Sequence, residues 1–584
     1  MRTDGLRNRN KKKGHNEIEG VVFVEQMEYR IRYQRWVENE QLEPELCQEL
    51  EEIAGNDREI YERFYQDLTF GTAGLRGVMG AGTNRMNVYT VQRATAGLAL
   101  YLLTAYGLEA MQRGVVIAYD SRLNSQMFAR EAALTLNSFG IRAYVFDRLT
   151  PTPELSFAVN YRQAVAGIVI TASHNPKEYN GYKVYNEYGC QIAGEAAEAI
   201  WEKMNLYQDL TDLPMIISYE SAVEQDLYHE IGEEYHAAFQ KAVLQQGLLA
   251  DSASKENLRV VYTPLHGTGL IPVTTVLEKD GFTQIYVLES QREPDGTFCT
   301  VHSPNPEEKE ALQLAIAYGQ EIGADLVLGT DPDCDRVGIA VWNGERFVLL
   351  SGNQTGALLA DYVLSRKTIG DNAVLIKTIV TSELGAEVAH AYGVQVMNVL
   401  TGFKYIGEKM IGFEKQHDHE FVMGYEESYG YLVGSHAKDK DAVVASMLIC
   451  EMAAYHKAQG KTLLTRLEEL YQQHGYYQEA LDSFTLPGAD GQQHIAEIMA
   501  ALRVQQPAEL GGQAVSEVKD YQQGLDGLPK ANVLKYVFAD GGWMAVRPSG
   551  TEPKIKFYYS LKGSSMEEAA KRIAALQQAV KAYL

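Results

Sequence analysis

The sequence predicts a multidomain α/β protein closed by a smaller α+β domain, and three observations carry that expectation. A chain of 584 residues is too long for one hydrophobic core. Short apolar runs, among them Val115–Tyr119, Ala164–Ile170 and Ala373–Ile379, alternate with stretches of helical period, the pattern of mainly parallel sheets with crossover helices. After about residue 476 that alternation gives way to successive strands and a terminal helix, which reads as α+β. The expected division is a disordered tail over 1–26, α/β domains over 27–230, 231–346 and 347–475, and the α+β domain over 476–584. No repeat is visible between the three α/β units.

Residues 1–26 carry the basic run Arg7–Lys13 and lack the apolar core of a signal peptide. They read as a tail, or as the product of a start assigned too early. Met27 opens an amphipathic helix that runs to Trp36, and Pro44 marks the start of a mostly helical stretch, Glu45–Leu68. The glycine-rich loop Phe70–Gly77 holds one arginine, Arg76, and such a loop lays backbone N–H groups against phosphate. Helix Thr90–Tyr106, strand Val115–Tyr119, helix Gln126–Phe139, strand Arg142–Phe146 and helix Pro153–Val159 then lead to the buried strand Ala164–Ile170. That strand ends in Thr171-Ala-Ser-His-Asn-Pro176, a polar loop closed by proline. Asn180-Gly181 reads as a hairpin turn that returns Lys183 toward Ser173.

The second unit has strands Leu258–Tyr262 and Gln284–Leu288, a loop and helix cap at Ser303-Pro-Asn-Pro306, and strand Asp325–Leu328. This last strand delivers Gly329-Thr-Asp-Pro-Asp-Cys-Asp-Arg-Val-Gly338. The third has strand Ala373–Ile379, the loop Thr401-Gly-Phe-Lys-Tyr405, strand Glu420–Met423, the acidic loop Gly424-Tyr-Glu-Glu-Ser-Tyr-Gly430 and a long helix, Asp441–Gln459. The terminal domain places Arg547-Pro-Ser-Gly-Thr-Glu-Pro553 between strands Trp543–Val546 and Lys554–Ser560, and Ser565 with Glu568 forms a capping-box pattern for the last helix.

A net charge of −24 argues against nucleic acid and anionic membrane surfaces as partners. It also requires that any site for an anionic substrate be locally basic. No apolar stretch reaches the ~18 residues of a membrane span. The five cysteines include no Cys-x-x-Cys, so the spacing suggests neither a disulfide framework nor a zinc site, and a reducing cytoplasm fits best.

Asp331, Asp333 and Asp335 converge hard oxygen ligands of the kind that suit Mg²⁺ or Ca²⁺. An EF-hand is excluded, because its sixth position is Arg336 and its twelfth Trp342. A strand ending in Asp-x-Asp also fits an aspartyl-phosphate phosphatase with Asp331 as nucleophile, a reading that leaves the Ser173 loop unexplained.

The four loops around Ser173, Asp331, Glu426 and Arg547, in this order, resemble those of the α-D-phosphohexomutase superfamily, the phosphoglucomutases and phosphomannomutases. The resemblance runs from about Phe70 to Phe557. The Gly-Tyr-Glu-Glu-Ser form of the third loop is most similar to the phosphoglucomutase branch that also contains phosphopentomutases. It implies three α/β domains with mixed sheets plus a C-terminal α+β domain, and an enzyme of the isomerase class working through a phosphoserine at Ser173. Asp331, Asp333, Asp335 and the Ser173 phosphate are then the Mg²⁺ ligands, and His174, Lys183 and Arg336 surround the transferred group and move the hydroxyl proton. Arg76 faces the active site, Lys404, Glu426 and Ser428 read the sugar, and Arg547, Ser549, Gly550 and Thr551 clamp the distal phosphate. The implied reaction interconverts glucose 1-phosphate and glucose 6-phosphate through glucose 1,6-bisphosphate. Pentose and mannose phosphates remain as alternative substrates, a non-catalytic sugar-phosphate binder as an alternative class, and a monomer is favoured over an oligomer.

Overall fold

Three of the four sheets repeat one order of strands. The computed structural model describes residues 28–71, 74–486, 489–548 and 554–583. The first sheet contains β1 (Gly74–Val78), β2 (Val115–Tyr119), β3 (Ala143–Phe146), β4 (Ala166–Ile170), β5 (Tyr179–Asn186) and β6 (Tyr228–Ile231) in the order β1-β5-β4-β2-β3-β6. Strand β2 pairs in parallel with β3 and β4, and β1 runs antiparallel to β5. The second contains β7 (Val260–Thr263), β8 (Ile285–Val287), β9 (Leu326–Thr330), β10 (Val337–Trp342) and β11 (Phe347–Leu350) in the order β11-β10-β9-β7-β8. The third contains β12 (Ala373–Thr378), β13 (Gln395–Val399), β14 (Glu420–Glu426) and β15 (Gly430–Val433) in the order β13-β12-β14-β15.

In each sheet the chain first steps to one side of a parallel strand and then returns to its other side: β2, β3, β4; β7, β8, β9; β12, β13, β14. Such a reversal opens a crevice beyond the carboxyl ends of the central strands. The returning strand delivers the Ser173 loop in the first sheet, the aspartate loop in the second and the Glu-Glu-Ser turn in the third. The sequence shows no repeat because a strand buried on both faces demands only apolar side chains, not particular ones. Strands β2, β4, β9 and β12 are buried along their whole length. Each large aliphatic side chain so buried contributes about 1.5–3 kcal/mol.

The fourth sheet, β16 (Tyr476–Thr485), β17 (Glu509–Leu510), β18 (Gln513–Asp520), β19 (Leu534–Phe538), β20 (Trp543–Pro548) and β21 (Lys554–Gly563), is antiparallel throughout. Its order is β16-β21-β20-β19-β18-β17. Leu502, Tyr536, Phe557, Ile573 and Leu576 share its core with the helices Ala489–Gln505 and Met566–Val580. The chain packs as two compact units. One holds the chain up to Asp147 with Ala164–Val184 and Ile192–Ile231, and the other holds Arg148–Gln163, Tyr185–Gln191 and everything from Gly232. Among the described residues no helix is long and apolar enough to cross a membrane.

The Glu45–Leu68 stretch is mostly helical and opens at Pro44, as expected; it consists of two helices, Pro44–Glu52 and Asp57–Phe64, parted at Gly55 with φ +85°, after which Asn56 caps the second. Other expectations need correction. Asn180-Gly181 is not a turn but lies within β5. Gly181 is there for space, since a Cβ would sit 2.5 Å from the Thr171 carbonyl oxygen. Ser303–Pro306 is a loop, but helix Lys309–Ile322 begins after Glu308 without the expected side-chain cap. The last helix has half a capping box: Ser565 accepts from the Glu568 N–H, while the Glu568 carboxylate accepts from the N–H of Ser564 instead. The expected tail over 1–26 and the site residues Ser549, Gly550 and Thr551 lie outside the described residues.

Candidate active site

In the first unit the chain leaves β4 and bends sharply at Ser173. This residue is buried and has φ +53°, the left-handed region that residues with a Cβ rarely adopt. Its N–H donates to Thr171 Oγ1 at 2.8 Å, and its Oγ lies 3.1 Å from His174 Nδ1. Arg76, on β1, donates from Nη1 to Asn175 Oδ1 at 3.1 Å. Lys183 is buried on β5, paired in register with Gly74 of β1. Arg76 therefore touches the serine loop, and Lys183 sits on the strand that the loop leads into.

What holds the loop is Arg122, which sequence reasoning missed. Its buried guanidinium donates to the carbonyls of Ser173 and Asn175, both at 2.5 Å, of Pro176 at 2.9 Å and of Tyr179 at 3.1 Å. Asp120 lies 3.3 Å from Arg122 Nε and accepts from the Arg122 N–H and the Ser125 hydroxyl. Burial pushes the Asp120 carboxyl up from its ordinary range, and the Arg122 charge opposes that shift. The available signal was Asp120-Ser-Arg122 itself, an acid and a base at the carboxyl end of a wholly apolar strand.

In the second unit Asp331, Asp333 and Asp335 are buried, and one oxygen from each lies within 4.8 Å of the others. The N–H groups of Asp335 and Arg336 donate to Asp331 Oδ1, and the Thr152 hydroxyl donates to Asp333 Oδ2 at 2.8 Å. Lys440 Nζ is 3.1 Å from Asp335 Oδ2. Arg336 pairs with Glu307 at 2.5 Å and lies 3.8 Å from Asp335. Three carboxylates at this spacing, out of water, repel one another strongly unless positive charge is supplied. The donor set is all hard oxygen and fits a hard divalent cation.

Backbone pairing joins this loop to the Glu-Glu-Ser turn. Arg336 forms an antiparallel bridge with Gly430, and the Val337 N–H donates to the Tyr429 carbonyl at 3.1 Å. Glu426 accepts from the Gly402 N–H at 2.9 Å, which ties in the start of helix Phe403–Gln416; Lys404 sits in the first turn of that helix and not in the loop expected over Thr401–Tyr405. Burial pushes the Glu426 carboxyl up, with Lys440 and Arg336 opposing. Ser428 is half-buried in the turn. Burial brings the Lys404 amine down to about 8, and the charge of Arg547 acts in the same direction. Lys556, the register partner of Arg547 across β20 and β21, is also lowered, by burial and then by Arg547. The charge of Arg547 thus bears on both Lys404 and Lys556.

Lys440 is a further residue that sequence reasoning passed over. Its Nζ also lies 3.0 Å from Asp439 Oδ1, and Asp439 accepts from the Tyr185 hydroxyl at 2.7 Å. Gly430 makes room for the lysine stem, since a Cβ there would sit 2.1 Å from Lys440 Cδ. The signal was the charged run Lys438-Asp-Lys-Asp441, buried immediately before an apolar helix.

Three α/β sheets with a serine, an aspartate trio and a Glu-Glu-Ser turn at successive reversals, followed by an antiparallel α+β domain, make a four-domain phosphohexomutase architecture. Family models of the phosphoglucomutase/phosphomannomutase α/β/α domains I, II and III match residues 67–210, 233–344 and 351–474, and the model of the C-terminal domain matches 499–577. The chain belongs to the phosphoglucomutase/phosphomannomutase family. It is 38% identical over 520 residues to a phosphoglucomutase of Staphylococcus epidermidis, covering 87% of this chain and 93% of that one. It is 37% identical over 539 residues to a phosphoglucomutase of Staphylococcus aureus, covering 89% and 94%. Its fold is similar to that of the exocytosis-sensitive phosphoprotein parafusin, a phosphoglucomutase from Paramecium, in its open form, with TM-score 0.66, 19% identity and coverage of 89% and 94%.

Proposed function

We propose that the protein is a phosphoglucomutase that interconverts α-D-glucose 1-phosphate and glucose 6-phosphate, with Ser173 as the phosphoryl carrier. The observation that carries this reading is the buried, left-handed Ser173 with its Oγ against His174 and its loop gripped by Arg122. Identity of 37–38% to phosphoglucomutases over almost their full length supports the reaction.

In the forward half-reaction the bond between Ser173 Oγ and phosphorus breaks, and one forms to the free sugar hydroxyl. That hydroxyl loses its proton to a nearby base, a part for which His174 and Lys183 are proposed, with Arg336 holding the transferred group. The resulting glucose 1,6-bisphosphate turns over and returns its other phosphoryl group to Ser173. Asp331, Asp333 and Asp335 would hold Mg²⁺, which when bound neutralises charge on the transferring group. Glu426 accepts and Ser428 donates hydrogen bonds to adjacent sugar hydroxyls. Arg76 and Lys404 serve substrate binding, and Arg547, Ser549, Gly550 and Thr551 clamp the phosphate that does not react. The same reading places the protein in the cytoplasm as a monomer with domains over 27–230, 231–346, 347–475 and 476–584.

The direct test is an assay of the purified chain with glucose 1-phosphate, Mg²⁺ and a trace of glucose 1,6-bisphosphate, beside mannose and pentose 1-phosphates. The highest kcat/KM is expected for glucose 1-phosphate, with activity lost on chelation and restored by Mg²⁺. No turnover, or a clear preference for another sugar, overturns the assignment.

Two further outcomes test the phosphate clamp. Both substrates must place their idle phosphate in one site, so Arg547→Ala is expected to lower kcat/KM for glucose 1-phosphate and glucose 6-phosphate alike. Losing a charge-assisted pair costs about 2–3 kcal/mol, or roughly 30- to 150-fold. A loss confined to one substrate contradicts the shared site. Lys404, with its amine at about 8, loses its charge as pH rises through that value. KM is therefore expected to climb on the alkaline side from about pH 8, and Lys404→Arg, which keeps its charge, should remove that limb. An unchanged alkaline limb in Lys404→Arg assigns the effect to another group.

A further inference from the structure

A second group of metal-ligating atoms lies in the same sheet as the aspartate loop, and the proposed reaction does not use it. Strand β7 ends at Thr263, and the chain turns through Leu265 and His266, with φ of +46° and +61°. Asp295 and Cys299 come from the segment after β8. One ligand atom from each of His266, Asp295 and Cys299 lies within 4.8 Å of the other two. The three are fixed locally: the Asp295 N–H donates to the His266 carbonyl at 3.2 Å, and the N–H groups of Thr297 and Cys299 donate to the Asp295 carboxylate at 2.8 and 3.3 Å.

The protonation of the imidazole follows from its partners. His266 Nδ1 lies 3.1 Å from the Glu293 carbonyl oxygen, which only accepts, so Nδ1 carries the proton. Nε2 then presents its lone pair and receives the Thr300 hydroxyl at 2.9 Å. A buried histidine whose rear nitrogen is anchored on a backbone carbonyl is the usual support of a metal-binding imidazole. Cys299 is exposed, so an ion in solution reaches it directly.

We propose that His266 Nε2, the Asp295 carboxylate and the Cys299 thiolate form a site for a borderline-soft divalent cation such as Zn²⁺, separate from the hard-oxygen site of Asp331, Asp333 and Asp335. Nitrogen, oxygen and sulfur in one cluster select such an ion over Mg²⁺, and three protein ligands leave a fourth position for water. On binding, a metal–sulfur bond forms, the thiol proton passes to solvent, and the Thr300 hydroxyl leaves Nε2. The site also bears on the aspartate loop. The Thr268 N–H donates to the Pro332 carbonyl at 2.8 Å, and Gly267 packs so closely on Pro332 that a Cβ would sit 2.4 Å from its Cα. An ion that fixes His266 therefore fixes the turn against which the aspartate loop rests.

Titration of the full, metal-stripped and reduced chain with Co²⁺ tests the site, because a cobalt–thiolate bond gives a charge-transfer absorption that oxygen ligands do not. The band is expected to saturate at one equivalent, to bleach on addition of Zn²⁺, and to persist in Asp333→Asn, which alters only the hard site. It should vanish in Cys299→Ser at unchanged melting temperature, and His266→Gln should weaken Co²⁺ binding by about 10- to 100-fold or more. A wild-type chain without the band, or a band that survives Cys299→Ser, overturns the proposal.

Discussion

Ser173→Ala is expected to abolish the covalent phosphate and lower kcat by about 10⁴-fold or more, since without the carrier oxygen no phosphoserine forms. Intact-mass measurement of freshly purified protein should show partial phosphate occupancy that maps to the peptide around Ser173 and is absent from the variant. Ser173→Gly serves as a control for the fold. Glycine adopts φ +53° without strain, so that variant should be inactive yet at least as stable as the parent, by up to about 1 kcal/mol. The aspartyl-phosphatase alternative makes the opposite forecast, that Asp331→Asn alone removes the covalent phosphate. Full activity in Ser173→Ala would sink the phosphoserine mechanism.

The second large effect belongs to Arg122. Its removal leaves four carbonyls of the serine loop without their guanidinium and Asp120 buried without its counter-charge. Breaking a buried pair in this way costs about 3–5 kcal/mol, so Arg122→Ala is expected to melt well below the parent. The pH dependence has a definite sign. Burial already raises the Asp120 carboxyl, and loss of Arg122 raises it further, above its unfolded value. Ionising that carboxyl in the folded state is then the penalty, which grows as pH rises above the unfolded value and is relieved as pH falls. The stability deficit of Arg122→Ala should accordingly shrink in mild acid, and adding Asp120→Asn should recover part of it. Arg122→Lys retains one charge but loses the planar fork, so it separates positioning from folding. Assayed where it remains folded, it should lose kcat with little change in KM for glucose 1-phosphate. A parallel loss of substrate affinity would mean that Arg122 shapes the sugar site rather than the serine.

Much of this was legible in the chain. Strands such as β2, β4 and β12 announce themselves because a strand covered on both faces must be apolar throughout. The serine, aspartate and Glu-Glu-Ser loops stood out because each interrupts such a run with polar residues. The supports of those loops did not stand out. Arg122 is some fifty positions from the serine it holds, and Lys440 is more than a hundred from Asp335. Charged residues near a strand or helix end read as solvated unless their partner is known, and no local pattern names the partner. Asn180-Gly181 misled for a related reason: the dipeptide favours a turn, but here the glycine is dictated by a neighbouring carbonyl. The threefold recurrence of one strand order was hidden because topology is a property of pairing, which leaves no signature in residue identity.

The conformation of Ser173 bears on how the enzyme is first switched on. Protein kinases take their target serine from an extended, accessible peptide that they can draw into a groove. Ser173 offers neither property, being buried at a left-handed bend whose own carbonyl and that of Asn175 are gripped by Arg122. In the proposed phosphoserine cycle, the phosphate would then have to reach a folded chain on a donor as small as the substrate itself. A newly made molecule is thus unprimed, and in the proposed cycle its first turnover waits on a sugar bisphosphate. On that reading the supply of the sugar bisphosphate would set the fraction of the protein at work.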